Sequence, residues 1–215
     1  MTYLDPRFTA HINRTDIKNI FECGAHNYSD SHALVEFYNC TVFAFEADRE
    51  HVANKKISDR IFAFDRPLAL YSHTGKVMFG AINLKESIDK NDGAGSILKL
   101  NYNRTFGDNK VDLFQNFYEV DCITIDDFVR ENSVVPDMLC LDAQGSELAI
   151  FKGSIETLSS IKYIITELQN EEYYIGNPFS TEIDKFLKNF GFRRIAESDP
   201  AGSLDALYKN EAIKQ

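Results

Sequence analysis

Tryptophan is absent from the 215-residue chain, and its four cysteines, Cys23, Cys40, Cys122 and Cys140, nowhere make a CxxC pair. That spacing argues against a disulfide framework and against a cysteine zinc site. The cysteines lie in or beside apolar, strand-like runs, as reduced core cysteines of a cytoplasmic protein do. No apolar run approaches the roughly 18 residues that span a bilayer. The first residues, Met-Thr-Tyr-Leu-Asp-Pro-Arg, lack the charged-then-apolar pattern of a signal peptide. A cytoplasmic location without a membrane partner is therefore expected. No Lys/Arg cluster interrupts a net charge of −10, so nucleic acid is not the expected partner. Internal repeats and low-complexity tracts are also missing.

What is present suits one globular domain. Hydrophobic residues make up 44% and charged residues 26%, ordinary for a soluble fold. Seventeen Phe and ten Tyr predict an aromatic-rich core. Residues 1–18 are polar with little periodicity, either an N-terminal arm that closes over a site or a plain surface segment. Residues 19–215 read as a single α/β domain with an insertion over 77–123.

The stretch Asp137–Gly153 organises the chain. Met138–Leu141 is a short unbroken apolar run, the pattern of a strand buried on both faces. Asp142 stands at its carboxyl end, Gly145 permits a tight turn, and Ser146-Glu147 opens a helix expected to reach about Leu158. Ligands of open α/β sheets bind beyond the carboxyl ends of the strands, at the point where strand order reverses. Asp142 is thus a candidate functional acid, with helix capping as its plain alternative.

The other elements repeat that rhythm. Asn19–Cys23 reads as the first strand, Gly24 as the turn, and 31–38 as the helix behind it. Thr41–Phe45 and Arg60–Phe64 follow as strands, with Leu68-Ala69-Leu70 in a loop beside the second strand's end. Only Gly24 of a G-x-G-x-x-G pattern exists, which weakens a nicotinamide dinucleotide reading. Glu22-Cys23-Gly24 instead matches the acid-x-Gly entry loop for S-adenosylmethionine. Glu46, ending the second strand, is placed to accept both ribose hydroxyls. Lys76–Asn83 and Tyr118–Ile123 look like added strands that pair. The turn-rich stretch 85–117 between them is long enough to be a lid or binding loop. Lys162–Thr166, ending in Glu167, is the next buried strand. Phe192–Glu197 and Ser203–Tyr208, joined through Pro200-Ala201-Gly202, form a terminal hairpin.

From about Phe21 to Tyr208 the chain resembles the FkbM family of class I S-adenosylmethionine-dependent methyltransferases. The resemblance rests on Phe21-Glu22-Cys23-Gly24-Ala25, Phe43-Ala44-Phe45-Glu46-Ala47, Thr124-Ile125-Asp126-Asp127-Phe128, Leu139 through Glu147, and Lys152-Gly153. His26 and Tyr28 stand where the family has Asn and often a second Gly, Cys140 where it has Lys, and Gln144 where it has an acid. The resemblance implies a seven-stranded, mostly parallel sheet ordered 3-2-1-4-5-7-6 with helices on both faces. It also implies O-methylation of a small hydroxylated or carbohydrate acceptor. Cofactor residues would be Glu22, Gly24, Ala25, His26, Ser31, Glu46, Ala47, Leu68, Ala69 and Asp142. Within that set, the backbone of 24–26 would take the methionine carboxylate, Glu22 the ammonium, Glu46 the ribose, and Leu68 with Ala69 the adenine. Asp142, His26 and Glu167 are the catalytic candidates. Asp142, Glu167 and Asn170 are candidate ligands for Mg²⁺. A fold retained for binding without catalysis is the competing expectation.

Overall fold

The computed structural model describes residues 3–102, 105, 106, 109, 110, 112–198 and 204–213. In chain order these form α1 (Pro6–Thr9), β1 (Asn19–Cys23), α2 (Ser29–Tyr38), β2 (Thr41–Phe45), α3 (Arg49–Ala53), β3 (Ile61–Ala63), β4 (Leu68–Leu70) and β5 (Gly75–Ile82). There follow β6 (Thr105–Phe106), β7 (Asn109–Lys110), β8 (Gln115–Ile123), α4 (Ile125–Asn132), β9 (Met138–Leu141), α5 (Glu147–Lys152), β10 (Tyr163–Leu168), α6 (Ser180–Lys188), β11 (Phe192–Glu197) and β12 (Leu204–Asn210).

The main sheet runs β11-β12-β10-β9-β1-β2-β3. Strands β3, β2, β1, β9 and β10 are mutually parallel, and β12 is antiparallel to both β10 and β11. Counting only these seven in chain order gives 3-2-1-4-5-7-6, the order that the resemblance implied. All four residues of β9 are buried, as a central strand covered on both faces requires. Strand order reverses between β1 and β9, so their carboxyl ends open the crevice in which ligands of such sheets bind.

Each sheet face has its own core. One holds Phe21, Phe45, Phe128, Leu139, Ile150, Phe151 and Leu187, contributed by the sheet, α4, α5 and α6. Phe128 sets its ring edge-on to Phe21 and Phe45, with centroids 5.2 and 5.0 Å apart, a favourable aromatic geometry. The opposite core joins Ile20, Val42, Met138 and Tyr163 to Leu34 and Tyr38 of α2. Tyr3, Phe8, Ile12 and Ile17 complete that second core, so the segment 3–17 is packed against the sheet.

Helix starts follow local chemistry. Asp48 accepts the Glu50 N–H at 2.8 Å, and Thr124 accepts the Asp127 N–H at 2.9 Å, both as N-caps. Two expectations change. Residues 68–70 form a strand, β4, parallel to β8, because their partner lies some fifty residues away and leaves no local mark. Helix α5 stops at Lys152, short of Leu158. Gly153 passes so close to Tyr71 that an added Cβ would lie 2.2 Å from its carbonyl oxygen, and the chain must leave the helix there. The 77–83 and 118–123 runs do pair, as β5 and β8. The Pro200-Ala201-Gly202 turn lies outside the described residues, as do parts of 85–117. Among the described residues no helix is long and apolar enough to cross a membrane.

Candidate active site

A cavity of about 340 Å³ opens beyond the carboxyl ends of β1, β2 and β9. The β1–α2 turn makes one wall. Gly24 has φ +80°, and a Cβ on it would lie 2.1 Å from the Asp142 carbonyl oxygen, so only glycine lets the two strand-end loops meet. His26 (φ +48°) and Tyr28 (φ +63°) are left-handed as well. The loop therefore keeps a glycine-like path with two residues that resist it, the kind of backbone strain that gathers at functional sites.

The peptide N–H groups of Gly24, Ala25 and His26 are committed within the protein. Gly24 and Ala25 donate to the Phe45 carbonyl at 3.0 and 3.2 Å. His26 N–H donates to Glu46 Oε2 at 2.6 Å, and Asp48 N–H to Oε1 at 2.6 Å. The expected cradle of N–H donors at 24–26 is thus closed by the loop's own geometry. Glu46 lines the cavity from the end of β2. Burial pushes its carboxyl up to about 7, against the pull of the two N–H donors.

Of the other expected residues, Ala25, His26, Ala47, Leu68, Ala69, Asp142 and Glu167 line the cavity. Leu68 and Ala69 join Phe45, Leu70, Phe79 and Ile97 in an apolar wall. Glu22 and Ser31 do not line it. Glu22 is 1% exposed, the Ser31 hydroxyl donates to it, and burial pushes its carboxyl up to about 8. The alternation of β1 explains this: Phe21 and Cys23 share one face, and Glu22 lies on the other, where Ser31 of α2 meets it. Asp30, in the first turn of α2, reaches the cavity instead, its carboxyl raised by partial burial. Asn170 also lies away from the cavity, its Oδ1 taking the Ser180 hydroxyl.

Gln144 joins the two strand-end acids. Its Nε2 donates to Asp142 Oδ1 at 2.6 Å and lies 3.3 Å from Glu167 Oε2. The Tyr174 hydroxyl lies 2.7 Å from Gln144 Oε1 and 2.9 Å from the Ala94 carbonyl oxygen, two acceptors that share its one proton. Burial raises the Asp142 carboxyl above its ordinary value, and the Gln144 hydrogen bond opposes that. His26 turns aside, with Nε2 3.0 Å from Asp92 Oδ1.

Sequence reasoning missed Asp30, Asp48, His51 and Asp92. Asp48 and His51 share the start of α3, while Asp30 and Asp92 come from two distant segments, so no single local spacing connects all four. With Glu46, Asp142 and Glu167 they make the lining strongly acidic, and among the described residues no Lys or Arg belongs to it.

The strand order and the cavity above its reversal define a class I methyltransferase architecture. The chain belongs to the FkbM methyltransferase family: the family model of the methyltransferase FkbM domain matches residues 22–194. It is accordingly an S-adenosylmethionine-dependent methyltransferase. No curated protein matches the chain. Among solved structures it is similar to the fibrillarin pre-rRNA processing protein of Methanococcus jannaschii, with a TM-score of 0.53 and 10% identity over 94% of this chain and 70% of that one. It is also similar to TrmK of M. capricolum in complex with S-adenosylhomocysteine, with a TM-score of 0.49 and 9% identity over 92% of this chain and 64% of that one. The chain thus spans about two thirds of the length of these structures. At such identities the fibrillarin likeness speaks for the fold alone.

Proposed function

We propose that this protein transfers a methyl group to a hydroxyl of a small-molecule or carbohydrate acceptor, with Asp142 as the base. The observation that carries the reading is the cavity lining: six acids, Asp30, Glu46, Asp48, Asp92, Asp142 and Glu167, beside an apolar wall, with no Lys or Arg among the described residues. That chemistry suits a ligand carrying a sulfonium, an ammonium, a ribose and a flat apolar base. It does not suit a polyanion, and the net charge of −10 points the same way.

S-adenosylmethionine, when bound, supplies a methyl group on a sulfonium. Glu46 would hold the ribose: each of its oxygens accepts one peptide N–H and keeps a second lone pair for a hydroxyl. Leu68, Ala69 and Phe79 would line the adenine. Asp30 would meet the ammonium, because Glu22 is sealed beneath the turn. Asp142, at the end of β9 with its carboxyl raised by burial above its ordinary value, would orient the acceptor hydroxyl and take its proton. Glu167 would act through Gln144, which ties it to Asp142. We route no step through Mg²⁺. An amide N–H₂ stands between the two carboxylates and Asn170 is directed to Ser180, a donor set that does not fit an oxygen shell.

The test is release of S-adenosylhomocysteine across a panel of hydroxylated small molecules and sugars, with methylated product identified by mass. Asp142→Asn should lower kcat by about 10²–10⁴-fold while S-adenosylhomocysteine affinity stays within a few-fold. Undiminished turnover would remove Asp142 as the base. Methylation of amines with no hydroxyl accepted would overturn the choice of acceptor.

A further inference from the structure

At the mouth of the cavity three side chains from distant segments point their ligating atoms at one another. His26 belongs to the β1–α2 turn, His51 to α3, and Asp92 to the 3₁₀ turn Asp92–Ala94. His26 Nε2 lies 3.0 Å from Asp92 Oδ1, and His51 Nε2 lies 4.0 Å from Asp92 Oδ2. The two imidazoles meet edge to face with centroids 4.1 Å apart. One ligating atom from each residue falls within 4.8 Å of the others.

We propose that His26, His51 and Asp92 form a binding site for a divalent transition ion, with zinc(II) as the reference, that clips the 91–95 segment to the cofactor-side turn. Imidazole nitrogen and carboxylate oxygen sit ~2.0–2.1 Å from zinc, which places neighbouring ligand atoms ~3.3 Å apart in a tetrahedral site. The two observed separations, one to each Asp92 oxygen, lie on either side of that spacing, and one ligating atom of each residue already lies within 4.8 Å of the others. Two imidazoles and one carboxylate, with an open fourth position, select zinc and its first-row neighbours over magnesium or calcium.

Two further observations favour an ion over a simple hydrogen-bonded pair. His51 Nε2 is buried, and among the described residues it has no hydrogen-bond partner. Buried polar atoms of this kind call for an explanation, and a metal supplies one. Nearby acids also suit a doubly charged ion, since Asp30, Glu46 and Asp48 line the same cavity. The site does not depend on the identity of the methyl acceptor.

The experiment is zinc(II) titration of tag-free, chelator-stripped protein by calorimetry, with bound metal counted after dialysis. Wild type should bind one equivalent, and its Tm should rise with zinc. His51→Ala and Asp92→Asn should each weaken zinc binding by at least the ~10–100-fold that changes outside the ligand shell cost, and both should lose the zinc-dependent rise in Tm. In EDTA the variants should melt near wild type. Should His51→Ala fail to fold, the partly exposed Asp92 carries the comparison alone. Equal zinc affinity in wild type and Asp92→Asn overturns the site. So does zinc binding that is lost only in Asp142→Asn, which would put the ion on the strand-end acids.

Discussion

Gln144 is the residue on which the candidate active site turns. It holds a left-handed backbone (φ +50°) without being glycine, and its side-chain amide reaches two carboxylates and the Tyr174 hydroxyl. Its amide donates toward two carboxylates, which stabilises their charged forms and fixes their spacing. An acid in the same place would set a third negative charge among them, and one carboxyl would then hold a proton. Gln144→Glu is therefore expected to lower kcat by about tenfold or more and to move the acidic limb of the pH–rate profile upward, with little change in S-adenosylhomocysteine affinity. An unchanged profile would show that Gln144 is packing and nothing more. Glu22 teaches a different lesson at this scale. The acid-x-Gly motif was legible, but whether its carboxylate faces the cavity or the core depends on strand pleat and turn path, and the Ser31 hydroxyl that receives it is nine residues away.

Among the elements, the segment between β5 and β8 borders the cavity, which Asn91, Asp92, Gly93, Gly95 and Ile97 help to line. Ser96 pairs with Gly80 of β5 through backbone hydrogen bonds of 3.1 and 2.8 Å, and its hydroxyl donates to the Gln144 carbonyl at 2.7 Å. Gly95 runs so close to Phe79 that an added Cβ would lie 2.7 Å from the ring. The segment is thereby laid along the added strands and tied to the loop after β9. Ser96→Ala spares the backbone pairing and cuts the tether. Losing that bond and the one the Ser96 hydroxyl accepts from the Leu98 N–H at 2.9 Å, ~1 kcal/mol each, should raise the acceptor KM by roughly 5–30-fold while S-adenosylhomocysteine affinity changes less than twofold. Equal losses would make the segment scaffolding for the whole cavity. Elements announced by a continuous pattern were readable in advance: β1, β2 and β9 occupy the predicted residues. Strand β4 was not, since three residues carry too little periodicity to reveal a partner in β8. The metal triad was equally hidden, because residues 26, 51 and 92 share no spacing and meet only through packing.

At the scale of the molecule, an acidic protein has gathered several carboxyls at the carboxyl ends of its central strands. Two of them lie wholly inside. Burial pushes Glu22 up to about 8 and Glu147 up to about 7, against ~4.3 for an unperturbed glutamate. Glu147 is held by the Ala143 and Gly145 N–H groups at 3.0 and 3.2 Å, which oppose the shift without cancelling it. Between those limits the folded protein binds more protons than the unfolded chain, so stability must fall as pH rises. The contribution is fully present below about pH 4.5 and is lost through about pH 8. Glu22 alone corresponds to an effect on the order of 3–5 kcal/mol, and for a chain of this length each kcal/mol moves Tm by about 2–4 °C. Calorimetry should therefore find Tm at pH 8 at least ~5 °C below Tm at pH 5, with Glu22→Gln and Glu147→Gln each flattening the slope, because a neutral amide has no proton to lose. A Tm that climbs from pH 5 to pH 8, or a slope that both variants leave untouched, would mean these carboxyls are ionised in the fold. A cationic ligand in the acid-lined cavity should narrow the difference, so S-adenosylmethionine is expected to raise Tm more at pH 8 than at pH 5.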